Sequence, residues 1–349
     1  MSSALNDDVS PDLRSFIAGM PKAELHVHHV GSASPRIVAE LASRHPDTPV
    51  PKDPDELRDY FAFTDFAHFI QVYVSVVNLI RTPEDVRMLT YEVAREMAGQ
   101  QIRYAELTCT PYTSVLAGIA PEDFCEAIED ARYAAERDFG LALRWCFDIS
   151  GELGIPAARE TVRIATEIAP AGLVSFGLGG PEVGVGRSQF KPFFDEARAA
   201  GLRSVPHAGE TTGPQTIWDA IQVLGAERIG HGTSATRDPN LLRYLAAAGI
   251  ALEVCPTSNV ATRAVASLAE HPIGAMYAAG VTVTINSDDP PMFATTLNRE
   301  YEVAARLLGL SEAGVADLAR NAVRASFAGP ECTEAILNEI DAYVTRAGF

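Results

Sequence analysis

Eight short apolar segments, each ending in polar residues, recur along this chain, and their spacing constrains the fold more than any other feature. After a first interval of 79 residues, the segments start 23 to 39 residues apart, as one strand plus one crossover helix requires. The pattern predicts an α/β fold, a parallel (β/α)₈ TIM barrel. The segments start near Ala23, Ile102, Leu141, Gly172, Leu202, Glu227, Ile250 and Val281.

The stretches between these segments predict helices. Pro121 to Phe139 has acidic residues early and arginine late, and Pro239 to Ala248 is followed by a glycine, both typical of helix ends. The long first interval predicts extra helices after strand 1, and Ser311 to Phe349 predicts a helical C-terminus. An open doubly wound sheet is the alternative, but it would gather the polar residues at one crevice rather than at every strand end.

The chain contains neither repeats nor a linker, so we expect a single barrel domain over residues 1–349, with residues 1–12 as a flexible tail. Its 28 basic and 46 acidic residues leave a net charge of -18, which argues against nucleic acid or an anionic membrane as partner. No apolar run is long enough to span a bilayer. Five cysteines without a C-x-x-C pair favour a reducing compartment, and we expect a cytoplasmic protein.

Candidate metal ligands stand at the ends of three predicted strands. His26 and His28 end the first strand and, being two residues apart, point to the same side of it. His207 ends the fifth strand and Asp288 follows the eighth. A barrel brings these ends to one face, and three imidazoles with one carboxylate suit Zn²⁺. The fourth strand, 173–180, contains no lysine that would bridge two metals, so we expect one zinc ion per chain.

Three further polar residues follow the same strands. Glu210 lies three residues after His207 and is a candidate proton shuttle, whereas His231 is a candidate to orient the attacking water. Asp289 is a candidate general base. Each has a structural alternative: a helix cap for Glu210, a buried structural histidine, and an aspartate that forms a turn.

With these residues in place, the chain resembles the adenosine/adenine deaminase family of zinc aminohydrolases. The resemblance spans residues 21 to 293. Its motifs, in order, are PKAELHVHHVGS, PHAGE, RIGHGT, CPTSN and SDDPPMF.

The resemblance implies hydrolytic deamination of a 6-aminopurine nucleoside. Zn²⁺ would activate water for attack on purine C6, with ammonia as the leaving group. Glu210 would protonate N1, His231 and Asp289 would steer the water, and the backbone of Gly180 would contact N3. The implied zinc ligands are His26, His28, His207 and Asp288.

One position departs from the family pattern. Nucleoside deaminases of the family usually read H-x-H-x-D-G, where the aspartate binds the ribose 5'-hydroxyl, but here that position is Val30. An apolar side chain cannot accept this hydrogen bond, so we expect a substrate modified at the 5' position. The HVHHVGS version is similar to the family members that deaminate aminodeoxyfutalosine for menaquinone biosynthesis.

That substrate carries a benzoate-bearing extension on its 5' side. Three aromatic side chains after the first strand, Phe61, Phe63 and Phe66, would pack against its ring, and Arg187 would pair with its carboxylate. The structural alternatives are core packing for the aromatic residues and a solvated loop position for the arginine. His29 points away from its neighbours on strand alternation, so we interpret it as a supporting or packing residue.

Three other functions are compatible with parts of the pattern. The first is an adenosine deaminase of purine salvage. The second is a non-catalytic nucleoside-binding member of the family, which is disfavoured because Glu210 and His231 are both intact. The third is a hydrolase of amides or phosphoesters, which the set of Glu210, His231 and Asp289 beside one metal does not favour.

Overall fold

The predicted strands form one ring. This computed structural model describes residues 9–63 and 66–349, without the side chains of Phe66 and Ala67. All strands pair in parallel with their neighbours in chain order, which confirms the predicted (β/α)₈ barrel. The strands are β1 (Lys22–His28), β2 (Ile102–Cys109), β3 (Ala142–Ser150), β4 (Leu173–Gly179), β5 (Arg203–Ala208), β6 (Arg228–His231), β7 (Ala251–Val254) and β8 (Val283–Ile285).

The ring closes beside a predicted metal ligand. Val27 of β1 bridges to Asp288, which follows β8. The amide of His28 donates to the carbonyl of Asp288 at 2.9 Å, and the amide of Asp288 donates to the carbonyl of His26 at 3.1 Å. The first and last motifs of the sequence are therefore joined by backbone hydrogen bonds.

The helices follow the predicted plan, with α2 to α5 forming the extra helices after β1 and with α15 and α16 forming the helical C-terminus. The helices are α1 (Pro11–Gly19), α2 (Pro35–Arg44), α3 (Pro54–Tyr60), α4 (Phe66–Val77), α5 (Pro83–Gly99), α6 (Pro111–Leu116), α7 (Pro121–Phe139), α8 (Gly154–Arg163), α9 (Lys191–Ala199), α10 (Pro214–Gln222), α11 (Pro239–Ala248), α12 (Pro256–Ala261), α13 (Ile273–Ala278), α14 (Leu297–Leu308), α15 (Glu312–Ala325) and α16 (Pro330–Ala347).

Local sequence explains where several helices begin and end. Proline occupies an early position of α1, α7 and α11, where the missing N–H costs no hydrogen bond. Gly140 and Gly249 end α7 and α11 with φ of 67° and 68°, the left-handed region that favours glycine. The predicted flexible tail, residues 1–12, extends too far along the chain. Ser10 caps α1, and Pro11 is already the first residue of that helix.

A buried ion cluster occupies part of the barrel interior. Arg228 of β6 donates from Nε to Glu253 Oε1 at 2.6 Å and from Nη2 to Glu106 Oε2. These three side chains are at most 3% exposed, and we refer to them as the interior ion cluster. The backbone amide of Phe327 also donates to Glu106, at 2.8 Å. The cluster therefore ties β2, β6 and β7 to the segment that follows α15.

Two sequence predictions concern the whole molecule. None of the helices in the described part of the chain is long and apolar enough to cross a bilayer. The five cysteines are free thiols in this structure.

Candidate active site

The imidazoles of the three predicted histidine ligands meet at the carboxyl ends of the strands. The ring of His26 lies 4.5 Å from that of His207 and 5.5 Å from that of His28, centroid to centroid. Ligand atoms of all three lie within 4.8 Å of one another. We call this part of the molecule, with Asp288 and Asp289, the metal end.

Hydrogen bonds orient two of these imidazoles. His26 Nδ1 lies 2.9 Å from Glu253 Oε2, and His207 Nδ1 lies 3.0 Å from the carbonyl oxygen of Leu178. With Nδ1 donating to an oxygen, the Nε2 lone pair of each ring is available to a cation. His26 Nε2 is buried and has no hydrogen-bond partner, as expected of a metal ligand.

The carboxylates of the metal end complete a donor set. His28 Nδ1 lies 2.9 Å from Asp288 Oδ1 and 3.3 Å from Asp289 Oδ1, yet these three buried atoms form no hydrogen bond of acceptable geometry. Buried polar atoms normally have partners, so this crowding of orphan nitrogen and oxygen atoms fits a divalent cation. Three nitrogen ligands and one oxygen ligand suit zinc.

Two residues of this region have a strained backbone. His231 and Asp288 adopt φ of 62° and 65°, a region that side chains other than glycine rarely enter. Such strain persists where the surrounding structure requires one side-chain direction, which is common in active sites. Ser258 donates to Asp288 Oδ2 and so fixes the second oxygen of this carboxylate.

Glu210 is a carboxyl group suited to donate a proton near neutral pH. Burial, followed by the negative charge of Asp288, raises its pKa to about 8. Thr262 Oγ1 donates to Glu210 Oε1 at 3.0 Å and holds the side chain in place. Because the Glu210 side chain is 17% exposed, a ligand has access to it, and the sequence alternative of a helix cap is not what the structure contains.

His231 lies beside Glu210 as a neutral imidazole. Burial, together with the positive charge of His26, lowers its pKa to about 3. Asn259 Nδ2 lies 3.0 Å from His231 Nδ1, an arrangement that leaves the ring proton on Nε2. This Nε2 is 3.6 Å from Glu210 Oε2, so the two side chains face the same space.

Comparison with known proteins identifies this arrangement. The family profile described as adenosine deaminase matches residues 21–343. The chain belongs to the adenosine deaminase family. It is therefore a deaminase, a hydrolase that acts on C–N bonds, and the family suggests a metal cofactor.

Two curated relatives share most of the sequence. Aminodeoxyfutalosine deaminase of Streptomyces coelicolor is 68% identical over 341 residues, which cover 97% of this chain and 88% of the relative. Aminodeoxyfutalosine deaminase of Streptomyces avermitilis is 68% identical over 334 residues, 95% of this chain and 93% of the relative. Among solved structures, adenine deaminase from Arthrobacter aurescens matches with a TM-score of 0.88 and 32% identity, covering 94% of this chain and all of that one.

The departure from the family pattern lies next to the metal end. Val30 is half-buried and packs against the hydrophobic core. The next residue, Gly31, is so close to Asp289 that a Cβ there would overlap its carboxylate. Val30 is therefore held near the reacting groups by the close approach of the loop that follows β1.

Gly180 follows β4 with φ of 77° and is exposed. A Cβ at this position would collide with the side chain of Glu152. Both observations explain why this residue is a glycine. Without a side chain, the main chain is open to a flat ligand. The contact with purine N3 stays a prediction.

The aromatic residues of the first insertion form a cluster that reaches the metal end. The ring of Phe63 lies 5.2 Å from Phe69 of α4 and 6.0 Å from Phe293, four residues after Asp289. Phe61 is 5% exposed and belongs to the core, so it offers little surface to a ligand. The predicted role of Phe66 falls on a side chain outside the part that the structure describes.

Arg187 is not a solvated loop residue. It begins a short 3₁₀ helix, Arg187–Phe190, and is 1% exposed. Its Nη2 lies 3.5 Å from Glu182 Oε1, while Nε and Nη2 lack hydrogen-bond partners. Burial lowers the pKa of this guanidinium, and the charges of Glu182 and Glu210 oppose that shift. Pairing with a substrate carboxylate stays a prediction.

His29 faces away from the metal end, as strand alternation predicts. It is 3% exposed, and its Nε2 lies 2.8 Å from Thr90 Oγ1 on α5. Burial lowers its pKa to about 4. His29 is therefore a neutral packing residue between β1 and α5.

Several supporting residues were not predicted. Glu253 holds His26, and the buried Glu182 accepts hydrogen bonds from the amides of Gly209 and Thr211, each at 2.6 Å. Glu182 thereby fixes the loop that carries Glu210. The sequence marks both positions, since Glu253 directly precedes VCPTSN and Glu182 directly follows GGP. Neither motif indicates which residue its glutamate contacts.

Proposed function

We propose that this protein hydrolyses the 6-amino group of aminodeoxyfutalosine, releases ammonia and acts in menaquinone biosynthesis. The observation that carries the proposal is the 68% identity to two aminodeoxyfutalosine deaminases over nearly the full chain. The apolar Val30, beside Gly31 and Asp289, supports the same substrate because it offers no acceptor to a 5'-hydroxyl.

One zinc ion per chain would be held by His26, His28, His207 and Asp288. A bound zinc ion lowers the pKa of water and so supplies a nucleophile at neutral pH. The orphan atoms of the metal end, His26 Nε2 and Asp288 Oδ1 among them, support this assignment. Cys255 is less suitable as a ligand, because burial raises the pKa of its thiol well above the usual value and metals bind the thiolate.

Glu210 would donate the proton to purine N1. With a pKa near 8 the carboxyl group still carries its proton at neutral pH, and Thr262 keeps it oriented. Protonation of the ring makes C6 more electrophilic and compensates the negative charge that develops on the ring during attack.

His231 and Asp289 would position the attacking water from two sides. Neutral His231 offers its Nε2 proton to the water oxygen. Asp289 Oδ1, which has no hydrogen-bond partner, would accept a proton from the same water. The leaving amino group then departs as ammonia after it takes up that proton.

The remaining groups would bind the substrate. The backbone at Gly180 would contact N3 of the purine, while Val30 and Phe63 would line the path of the 5' extension. Phe61 and Phe66 complete the predicted aromatic set. Arg187 would pair with the benzoate carboxylate, and because the guanidinium is 1% exposed, this pairing requires the side chains around Glu182 to move.

A substrate panel tests the proposal. Adenosine, 5'-methylthioadenosine and aminodeoxyfutalosine are compared at matched concentrations with zinc-loaded enzyme, and ammonia release is followed. We expect aminodeoxyfutalosine to have the highest kcat/KM. A higher kcat/KM for adenosine would contradict the proposal and would assign the protein to purine salvage. Zinc stoichiometry from elemental analysis tests the expected single ion.

A further inference from the structure

Asp148 is a buried carboxylate near the metal end to which the roles above give no function. It lies in the C-terminal half of β3 and is 5% exposed. Thr110, which follows β2, donates from Oγ1 to Asp148 Oδ1 at 2.6 Å. In the described part of the chain, Oδ2 accepts no hydrogen bond from another residue, and no arginine or lysine pairs with this carboxylate.

Two glycines of the neighbouring strand make room for the side chain of Asp148. A Cβ at Gly179 would lie 2.6 Å from Asp148 Oδ2 and 3.9 Å from His207 Cε1. A Cβ at Gly177 would lie 3.2 Å from Asp148 Cβ. The unpaired oxygen therefore lies against Gly179 and close to the candidate metal ligand His207, in room that a side chain on β4 would otherwise take up.

Asp148 is surrounded by ionisable groups of other elements, but none of the described residues forms an ion pair with it. The charges of His28 on β1 and Glu152 after β3 act on Asp148, and the charge of Asp148 acts on Tyr73 of α4. Burial raises the pKa of Asp148 to about 6, and hydrogen bonding by Thr110 and the charge of His28 oppose that rise. At neutral pH the group is therefore mainly an acceptor.

The order of the strands places Asp148 between the proposed position of the purine and that of the 5' extension. This step rests on the proposed function, which puts the purine at Gly180 after β4 and Glu210 after β5, and the 5' extension at Val30 after β1. The strands follow one another around the ring in chain order. A nucleoside that joins these points crosses the ends of β2 and β3, where Thr110 and Asp148 lie.

We propose that Asp148 is a substrate-binding residue that accepts a hydrogen bond from a ribose hydroxyl. A nucleoside extended at its 5' carbon keeps only the 2'- and 3'-hydroxyls, so one of these two is the donor. In this way the site retains a carboxylate for the sugar, although the position that binds the 5'-hydroxyl elsewhere in the family is occupied by Val30.

The first test separates binding from chemistry. Asp148→Ala removes the acceptor, and Asp148→Asn keeps the shape of the side chain if the alanine variant does not fold. We expect KM for aminodeoxyfutalosine to rise about 10- to 100-fold in Asp148→Ala, the range for a hydrogen bond to a charged group, while kcat and zinc content stay near those of the parent. Asp123→Asn, an exposed carboxylate on α7, is the matched control.

The second test identifies the hydroxyl without turnover. Dissociation constants of adenosine, 2'-deoxyadenosine and 3'-deoxyadenosine are measured by calorimetry on Glu210→Gln, with and without Asp148→Ala. We expect one of the two deoxynucleosides to bind the Glu210→Gln protein more weakly than adenosine does. For that nucleoside, the dissociation constant should rise little further when Asp148→Ala is added. An equal loss for all three nucleosides, or a loss of zinc, would overturn the role of Asp148 and leave the proposed function intact. An unchanged KM for aminodeoxyfutalosine in Asp148→Ala would overturn this inference alone, whereas absence of aminodeoxyfutalosine turnover by the parent enzyme would overturn the proposed function.

Discussion

The barrel contains two buried groups of charged side chains that are built on opposite principles. In the interior ion cluster, Arg228 lies between Glu106 and Glu253, and both carboxylates are paired within the protein. At the metal end, Asp288 Oδ1, Asp289 Oδ1 and His28 Nδ1 lie close together without hydrogen-bond partners. The charges of the interior ion cluster are all paired within the folded chain. The polar atoms of the metal end lack such partners, which a bound cation would supply.

The difference teaches where stability and activity reside in this barrel. Burying charge is costly unless the charge is paired, so the interior cluster contributes to a stable fold only as a complete set. The metal end retains that cost until a cation and a substrate arrive. The two groups meet at Glu253, which accepts from Arg228 with one oxygen and contacts His26 with the other.

The largest expected effect is on chemistry at the metal end. Glu210→Gln removes the proposed proton donor but keeps the size and shape of the neutral carboxyl group. We expect kcat to fall about 10²- to 10⁴-fold, the range for loss of a general acid. Zinc content, measured by elemental analysis, and the unfolding midpoint should not fall.

The control is Glu126→Gln on the exposed side of α7, which should leave kcat unchanged. Activity retained in Glu210→Gln would remove this residue from the mechanism. Loss of zinc in the same variant would mean that Glu210 supports the metal, and the two buried groups would then differ less than the structure indicates.

The next effect is on stability in the interior cluster. Arg228→Met leaves Glu106 and Glu253 without their cation, and breaking a buried pair in this way costs about 3–5 kcal/mol. We expect the free energy of unfolding from urea titration to fall by that amount. Arg163→Met removes the partner of Glu160 at the surface of α8, where such a pair is worth about 1 kcal/mol or less. If the two substitutions lowered the free energy of unfolding equally, the interior ion cluster would contribute no more to stability than a surface ion pair.

The smallest effect is on the pH profile. Because burial raises the pKa of Glu210 to about 8, the protonated form, which is the proton donor in the proposed mechanism, dominates below that pH and is lost above it. We expect kcat/KM for the proposed substrate to fall about tenfold per pH unit above about pH 8. A profile that stays flat to pH 10 would contradict this prediction. If the residual activity of Glu210→Gln fell at the same alkaline pH, the fall would belong to a group other than Glu210.

Much of the site is predictable from the sequence because its residues stand at the ends of strands. His26, His28, His207 and Asp288 all follow short apolar segments, and any parallel barrel brings such positions to one face. The deaminase family follows from the same motifs, with their order along the chain. The roles of Glu210, His231 and Asp289 remain predictions, although their side chains do converge.

The supporting contacts could not be predicted in the same way. His26 and Glu253 are 227 residues apart, and Asp148 on β3 is 38 residues from Thr110, which follows β2. Which carboxylate meets which partner depends on the register of neighbouring strands, for example Asp148 opposite Gly177. A shift of one residue would turn each of these side chains to the other face of the sheet.

The sequence by itself determined the barrel, the family and the strand ends on which the candidate metal ligands lie, because strand periodicity and short motifs are local features of the chain. Only the tertiary structure decided that Arg187 is buried beside Glu182, that Phe61 belongs to the core, and that Gly179 leaves room for Asp148. Those outcomes depend on packing between segments far apart in the chain, where burial and hydrogen-bond geometry decide which polar groups are paired and which remain available to a ligand.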